Sequence, residues 1–147
     1  LAFTPDGQTL AAASSSSEVH LFEHEATPFL RDYFSPAFSL IWSPDGRRLI
    51  SGHSNGSIFS RGRTSPPVLL GKHDWTVYAL AFTPDGRTLI SGSADGTVRL
   101  WDVFAARERR CYRWHSRWVT CVAVAPDGMT AAAGSADHTV VVWDLDD

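Results

Sequence analysis

A serine, a histidine and an aspartate occur at spacings that could bring them together as a nucleophile, a general base and its orienting partner. They are Ser91, His73 and Asp95, the residue types that hydrolases combine for acyl transfer. A catalytic serine needs an exposed hydroxyl beside hydrogen-bond donors for the oxyanion. The same His-to-Asp spacing of 22 residues recurs as His115 and Asp137, and a catalytic site does not usually recur in successive segments. The recurrence therefore argues against a catalytic role, and we expect no catalytic residue.

Histidines and cysteines could also hold a metal ion. The chain has six histidines: His20, His24, His53, His73, His115 and His138. The first two are four residues apart, a spacing that suits metal binding on a helix, but their segment has the composition of strands and loops. Cys111 and Cys121 form no CxxC pair, and we expect them to be buried thiols. We therefore expect no metal ion and no other cofactor.

One basic segment, residues 107–117 (RERRCYRWHSR), has aromatic residues between its arginines, as a nucleic-acid surface can have. An outer edge strand has such a composition for another reason, because charges facing water discourage pairing with other strands. Glu108 and the formal net charge of −3 for the whole chain favour the edge strand. We therefore do not expect nucleic acid as a partner. With this charge and no long apolar run, we do not expect a membrane either.

These residues lie within a repeat that runs through all 147 residues. The string Pro-Asp-Gly occurs four times, at spacings of 39, 40 and 42 residues, beginning at Pro5, Pro44, Pro84 and Pro126. Positions counted from that proline match in type, and fourteen residues after it stand Val19, Ile58, Val98 and Val140. A period of this length is typical of arrays in which each unit stacks on its neighbours.

Each unit has the pattern of about four short antiparallel strands. In the third unit, polar and apolar residues alternate between Thr97 and Trp101, the period of two that a half-buried strand shows. Asp-Gly between apolar runs predicts a tight primed hairpin turn, because glycine adopts positive φ at little cost. A sustained helical period is absent from the sequence, so the predicted fold class is all-β.

Two segments, SGSADGTVRLWDV (residues 91–103) and AGSADHTVVVWDLDD (residues 133–147), closely resemble the WD40 repeat. The resemblance extends over the whole chain. It implies a WD40-type β-propeller fragment of about 3.5 four-stranded antiparallel blades, arranged as an open arc. The implied blades are residues 1–34, 35–73, 74–115 and 116–147, of which the last is incomplete.

The resemblance also implies a buried hydrogen-bond relay within a blade. In unit three the relay would link His73, Ser91, Asp95 and Trp101, and in unit four His115, Asp137 and Trp143. Ala133 stands where unit three has Ser91, and Ser135 on the same face is a candidate substitute. The matching positions are Tyr33, Ser51, Asn55 and Arg61 in unit two, and Ala12, Ser16 and Phe22 in unit one. We therefore expect these two blades to be looser and held mainly by apolar packing.

The function that the resemblance implies is protein binding, with no catalytic activity of the propeller itself. Loops at the narrower face of such rings commonly take peptide partners, and here they carry Trp75, Arg117 and Trp118. The alternative for the two tryptophans is packing between neighbouring blades. The alternative function is a sensory or substrate-docking propeller of a larger enzyme, such as a protein kinase.

The chain begins at the end of an inner strand of the repeat and stops after a third strand. Propeller rings have roughly four to eight blades, so an arc exposes apolar faces at both ends. We expect remaining blades of the same chain, or alternatively a second copy, to close the ring. Two cysteines without a disulfide framework suit a reducing compartment, so we expect a cytoplasmic protein.

Overall fold

The computed structural model describes residues 1–23 and 35–145 and the backbone of residues 29–30. Within these ranges all regular structure is β-strand, and consecutive strands pair antiparallel into four sheets, which we call blades one to four. Blade one consists of β1 (Ala2–Phe3), β2 (Leu10–Ala13), β3 (Val19–Phe22) and β4 (Phe29–Leu30). Blade two consists of β5 (Ala37–Trp42), β6 (Leu49–His53), β7 (Ser57–Arg61) and β8 (Val68–Lys72).

Blades three and four follow the same plan. Blade three consists of β9 (Val77–Phe82), β10 (Thr88–Ser93), β11 (Val98–Asp102) and β12 (Arg107–Tyr112). Blade four consists of β13 (Val119–Val124), β14 (Thr130–Ser135) and β15 (Val140–Asp144). The all-β propeller fragment predicted from the sequence is confirmed. The part of the chain that the structure describes has no helix with the length and apolar character needed to span a membrane.

The Pro-Asp-Gly turns differ from the primed turns that the sequence predicted. In blade three the Gly86 amide donates to the Thr83 carbonyl oxygen at 2.9 Å, so Pro84 and Asp85 occupy the central positions. A primed turn of the predicted kind needs positive φ there, but only Gly86, after them, has it, at +70°. The prediction is wrong because proline fixes a negative φ at the first central position.

A hydroxyl before the proline stabilises each of the first three turns. In blade three, Thr83 Oγ1 donates to Asp85 Oδ1 at 2.5 Å. This bond, together with the Arg87 amide, holds the pKa of Asp85 below its ordinary value. Blade four has Ala125 at the position of Thr83, so its turn lacks this contact.

The blades stack through a repeated set of apolar side chains. Those that point toward the following blade are Ala11, Val19 and Leu21 in blade one, Ile50 and Ile58 in blade two, and Ile90, Val98 and Leu100 in blade three. All of these are buried, and the inner strands β5, β9 and β13 lie side by side. The equivalents in blade four, Val140 and Val142, are 71% and 64% exposed. Blade four therefore has an open apolar face.

The two junctions around blade three are built differently. Trp101 of blade three lies against Gly71 in the outer strand of blade two, where a Cβ atom would collide with the indole ring. At the next junction Tyr112 occupies the strand position of Gly71, and its ring centroid lies 6.0 Å from that of Trp143. Trp101 is therefore fully enclosed, whereas Trp143 is half-buried.

The two cysteines are less enclosed than the sequence predicted. Cys111 is half-buried on the outer strand of blade three, and Cys121 is exposed. The sulfur of Cys121 lies beside Gly134 on the open face of blade four. The prediction of two buried thiols is wrong because one lies on an edge strand and the other on an uncovered face.

Candidate interaction site and its hydrogen-bond relays

A continuous hydrogen-bond relay runs through blade three. Trp101 Nε1 donates to Ser91 Oγ at 2.7 Å, and Ser91 Oγ lies 2.6 Å from His73 Nε2. On the other side of the imidazole, His73 Nδ1 lies 3.0 Å from Asp95 Oδ2. The residues that the resemblance assigned to the relay of unit three are thus in contact, from the third strand of the blade to the loop before its first.

Donor and acceptor chemistry sets the direction of this relay. An ionised carboxylate only accepts hydrogen bonds, so His73 Nδ1 carries the proton and donates to Asp95. Nε2 of the same ring then accepts from the Ser91 hydroxyl. Burial opposes ionisation of Asp95, but hydrogen bonds from His73 and Thr97 outweigh it and lower its pKa well below the ordinary value. Every buried polar group of the relay is therefore satisfied.

The relay of blade four is interrupted at its centre. His115 Nδ1 lies 3.2 Å from Asp137 Oδ2, as the corresponding pair does in blade three. Ala133 is buried but supplies no hydroxyl. Both His115 Nε2 and Trp143 Nε1 are buried and have no hydrogen-bond partner among the described residues. The two ends of the relay are present, and the link between them is missing.

Ser135 does not replace the missing hydroxyl. Its Oγ donates to the Arg117 carbonyl oxygen at 3.2 Å. Ser93 of blade three, at the equivalent position, makes the same kind of bond to the Trp75 carbonyl oxygen at 3.0 Å. The suggested substitution of Ser135 for the relay serine is wrong, because Ser135 already secures the loop before the inner strand.

Blade two has a short relay that sequence reasoning missed. His53 Nδ1 lies 2.7 Å from the Ser35 carbonyl oxygen, and Nε2 lies 2.8 Å from Ser51 Oγ. The carbonyl only accepts, so Nδ1 carries the proton and Ser51 donates to Nε2. Burial lowers the pKa of His53, despite the opposing effect of the carbonyl, and keeps the ring neutral. Blade two therefore has a buried polar contact in addition to its apolar packing, and the expectation that apolar packing is its main support stays a prediction.

The other positions assigned to blades one and two make smaller contributions. Asn55 Oδ1 accepts from the Ser57 amide at 3.0 Å and caps its turn, and Arg61 is buried where blade three has tryptophan. In blade one, Ala12 pairs with His20 across the sheet, Ser16 Oγ lies 2.7 Å from Ser14 Oγ, and Phe22 is 45% exposed. Tyr33 lies outside the described residues.

The loops above the relays of blades three and four form a groove. It has a volume of about 360 Å³, and its walls include Trp75, Arg117 and Trp118. The two tryptophans are 62% and 52% exposed, and the ring centroid of Trp118 lies 5.8 Å from that of Tyr78 in blade three. Small residues line the space between them: Ala94, Gly96, Ser116 and Ala136. The three partner-binding candidates chosen from the sequence thus border one concave surface.

The relay carboxylates hold both loops of this groove. Asp95 Oδ2 accepts from the Asp74 amide at 3.1 Å, immediately before the first groove tryptophan. Asp137 Oδ2 accepts from the Ser116 amide at 2.9 Å, immediately before the groove arginine. A disturbance of either relay would therefore move an exposed loop.

The model of the family described as WD domain, G-beta repeat, matches residues 30–59, 65–102 and 107–144. These ranges make up more than half of the chain. The chain belongs to the WD40 family. WD40 repeats generally mediate protein–protein interaction. No curated protein matches the sequence.

Two threonines of the WD40 blades were also missed from the sequence. Thr97 Oγ1 donates to Asp95 Oδ1 at 2.6 Å and lies 3.0 Å from His73 Nδ1. Thr139 makes the corresponding contacts in blade four with Asp137 and His115. The signal was available, because a threonine follows the relay aspartate by two residues in both repeats.

The WD40 relay is not arranged for nucleophilic chemistry. Ser91 is fully buried, and its hydroxyl is engaged by two neighbours, so a substrate cannot reach it. Within residues 1–23 and 35–145, no three His, Cys, Asp or Glu side chains are grouped as metal ligands would be. Of the histidine pair considered as ligands, His20 lies 3.7 Å from the Glu18 carboxylate, and His24 lies outside the described residues.

Proposed function

We propose that this chain is a protein-binding platform without catalytic activity of its own, and that its contact surface is the groove bordered by Trp75, Arg117 and Trp118. The observation that carries the proposal is the high exposure of both tryptophans on one concave surface. Tryptophan and arginine are the residue types most enriched among the anchors of protein interfaces. Large exposed aromatic rings are otherwise costly to leave in water.

The shape of the groove favours a peptide with an apolar side chain. Ala94, Gly96 and Ala136 are small, so an entering side chain meets the tryptophan rings as walls. Asp95 is committed to the relay and offers little charge to a ligand, whereas Arg117 can donate to peptide carbonyl oxygens. We therefore expect an apolar anchor flanked by backbone contacts.

The relays make the platform rigid before any partner arrives. Binding is weakened when loops must be ordered in the complex. Here hydrogen bonds from the amides of Asp74 and Ser116 to the relay carboxylates hold both loops in advance. This arrangement supports a binding surface that needs little rearrangement.

Selection of phage-displayed random peptides on the immobilised chain tests the proposal. The affinities of the selected peptides are then measured by biolayer interferometry for the wild type and for the double variant Trp75→Ser/Trp118→Ser. We expect the double variant to bind at least about tenfold more weakly, because it lacks both aromatic anchor residues. The control is Phe104→Ser, which removes an exposed aromatic ring, 71% accessible, from the opposite end of blade three.

Peptides that bind the wild type and the control equally, but not the double variant, would support the groove. Peptides that bind the double variant as tightly as the wild type would contradict it. A selection that enriches no peptide against the wild type would count against a peptide-binding platform altogether. Circular dichroism of each variant confirms that the fold is retained.

We also propose that further blades, from the same polypeptide or from a second copy, cover the open faces of the arc. Val140 and Val142 are exposed although their equivalents in three other blades are buried. Phe3, 64% exposed, leaves a similar apolar surface on blade one. Sedimentation velocity of the chain and of Val142→Lys distinguishes the sources. A dimer that the lysine abolishes supports a second copy, whereas a monomer rules the second copy out.

A further inference from the structure

The basic segment noted in the sequence borders a second concave surface, at the end of the blades opposite the tryptophan groove. This notch lies between the Pro-Asp-Gly turns of blades three and four and has a volume of about 530 Å³. Its lining combines acidic, basic and apolar side chains, among them Asp85, Asp127, Arg109, Arg110 and Leu100. The notch between blades two and three is smaller, about 270 Å³, and has no counterpart of the arginine pair among its described lining residues.

A β-bulge brings both arginines to the notch. Successive side chains of a regular strand point to opposite faces. In blade three Leu100 pairs with Arg110 and Trp101 pairs with Glu108, so Arg109 is an additional residue without a partner in β11. Bulges re-aim side chains, and here the two consecutive arginines line one notch. An edge strand that only needed protection from pairing would not require this convergence.

Among the described residues neither arginine is held in an ion pair, although Arg109 lies close enough to Asp102 to help the Ala105 and Phe104 amides lower the pKa of that carboxyl. Within the described ranges no carboxylate lies in ion-pair distance, 4.0 Å, of Arg109 or Arg110. Glu108, the carboxylate between Arg107 and Arg109, is bound to Arg99 at 3.0 Å instead. Arg109 Nη1 donates to Thr88 Oγ1 at 3.2 Å, which steadies the guanidinium at the notch. Guanidinium groups bind carboxylates through paired hydrogen bonds.

The aspartates on the turns make the notch dipolar. Asp85 Oδ1 accepts from the Arg87 amide at 3.0 Å, and Asp127 Oδ1 accepts from the Met129 amide at 2.9 Å. In the part of the chain that the structure describes, no donor is bonded to the Oδ2 atom of either residue. The notch therefore offers two cationic groups beside two free carboxylate oxygens.

We propose that this notch binds a segment of a partner protein through one acidic side chain, which Arg109 and Arg110 hold together. Backbone N–H groups beside that side chain donate to Asp85 and Asp127. A nucleic acid fits this arrangement poorly, because phosphates flanking the one held by the arginines would face the aspartates. A peptide has the required order of groups, a single carboxylate flanked by N–H donors. This site is separate from the tryptophan groove and does not depend on the function proposed there.

Fluorescence anisotropy with the 147-residue chain tests the proposal. The probes are the labelled peptide Gly-Ser-Leu-Glu-Leu-Ser-Gly, the same peptide with Gln in place of Glu, and a short labelled oligothymidylate. We expect the Glu peptide to bind at least about tenfold more tightly than the Gln peptide, because the Gln peptide cannot make the charge-assisted hydrogen bonds. The double variant Arg109→Gln/Arg110→Gln removes this preference.

The matched control is Arg107→Gln/Arg113→Gln, which removes two charges from the same segment but outside the notch lining. We expect it to keep the affinity for the Glu peptide within about twofold. Arg109→Lys/Arg110→Lys keeps the charge but not the paired donors, so its affinity falls between those of the wild type and the Gln variant.

Three results would overturn the proposal. One is equal affinity for the Glu and Gln peptides, including no binding of either. Another is an equal loss in the notch and control variants, which indicates nonspecific attraction. The third is oligothymidylate binding that is as tight as Glu-peptide binding and is lost in the notch variant, which indicates a nucleic-acid surface.

Discussion

The three described strands of blade four correspond to the first three strands of blade three, and the two blades have the same residue types at most relay positions, but they differ at the centre of the relay. In blade three the Ser91 hydroxyl joins His73 to Trp101. In blade four Ala133 occupies that position, and the two facing nitrogens are left without described partners. The blade keeps its three strands nevertheless. An uninterrupted relay is therefore not required for the three strands of a blade to pair.

A second hydroxyl is missing from the same blade. Thr83 of blade three donates to the aspartate of its turn, whereas blade four has Ala125 there. Both exchanges remove a hydroxyl group and leave the strand register intact. Blade four is thus a natural variant of blade three with fewer polar contacts. The following predictions use that difference, beginning with the largest expected effect.

Trp101→Ala should cost about 3–5 kcal/mol of unfolding free energy, as for a buried large aromatic residue. The substitution removes the ring packed on Gly71 and one end of the relay. Trp143→Ala should cost clearly less, because Trp143 is half-buried and its Nε1 has no described partner. Urea denaturation of the two variants measures the difference. Equal losses of unfolding free energy in the two variants would show that neither the enclosure of Trp101 nor its relay hydrogen bond contributes to stability.

Ser91→Ala should cost about 1–3 kcal/mol, because it leaves two buried nitrogen atoms unsatisfied. The variant gives blade three the relay of blade four. Ser93→Ala, in the same strand, removes a hydroxyl that bonds a backbone carbonyl and serves as the comparison. We expect the Ser91 variant to lose more stability in urea. A smaller loss than that of the comparison would argue against the relay as a stabilising unit.

Ala133→Ser should raise the unfolding free energy by about 1 kcal/mol, since it supplies a hydroxyl to His115 and Trp143. This is the reverse exchange in the other blade. Ala132→Ser, one residue away on the opposite face of β14, places the hydroxyl outside the relay and should give no gain. The midpoints of thermal unfolding of the two variants report the difference. Destabilisation by Ala133→Ser would mean that the space beside the two nitrogen atoms is too small for oxygen.

His53→Ser should remove a small pH dependence of stability. Burial lowers the pKa of His53 below its ordinary value of 6.5, so the unfolded chain binds a proton there more readily than the folded chain. Stability should therefore decrease as the pH falls below about 6.5 in the wild type. The variant carries the residue type of blades three and four at this position, and its urea midpoint should fall less between pH 7 and pH 5.5. If the urea midpoints of the wild type and the variant fell equally between pH 7 and pH 5.5, His53 would have the same proton affinity in the folded and unfolded chains, which would contradict the prediction.

The repeat period predicted the fold class and the strand arrangement because turns and alternating apolar residues recur at fixed intervals. The resemblance to the WD40 repeat assigned Ser91 and His73 to the relay, and the recurring spacing of 22 residues between histidine and aspartate supported that assignment. His53 escaped notice because its residue type differs from the serines at that position. A position in a repeat can keep its contact while changing its side chain.

Features that depend on two repeats at once could not be read from one unit. The contact of Trp101 with Gly71 depends on how closely two blades approach. The notch arginines converge because of a bulge, and β12 contains no sequence signal that distinguishes Arg109 as the additional residue. Such features are set by the packing of neighbouring blades rather than by local propensity.

The contact between Trp101 and Gly71 limits which segments of the repeat can be duplicated or transplanted as a unit. A tryptophan at the third strand fits only when the preceding unit leaves room in its outer strand, so a duplicated or transplanted segment must contain both residues. A cut at the Pro-Asp-Gly turn of blade three would separate them. A cut between β7 and β8, repeated one period later between β11 and β12, would keep them together. We expect recombination or engineering of such arrays to succeed more often with that frame.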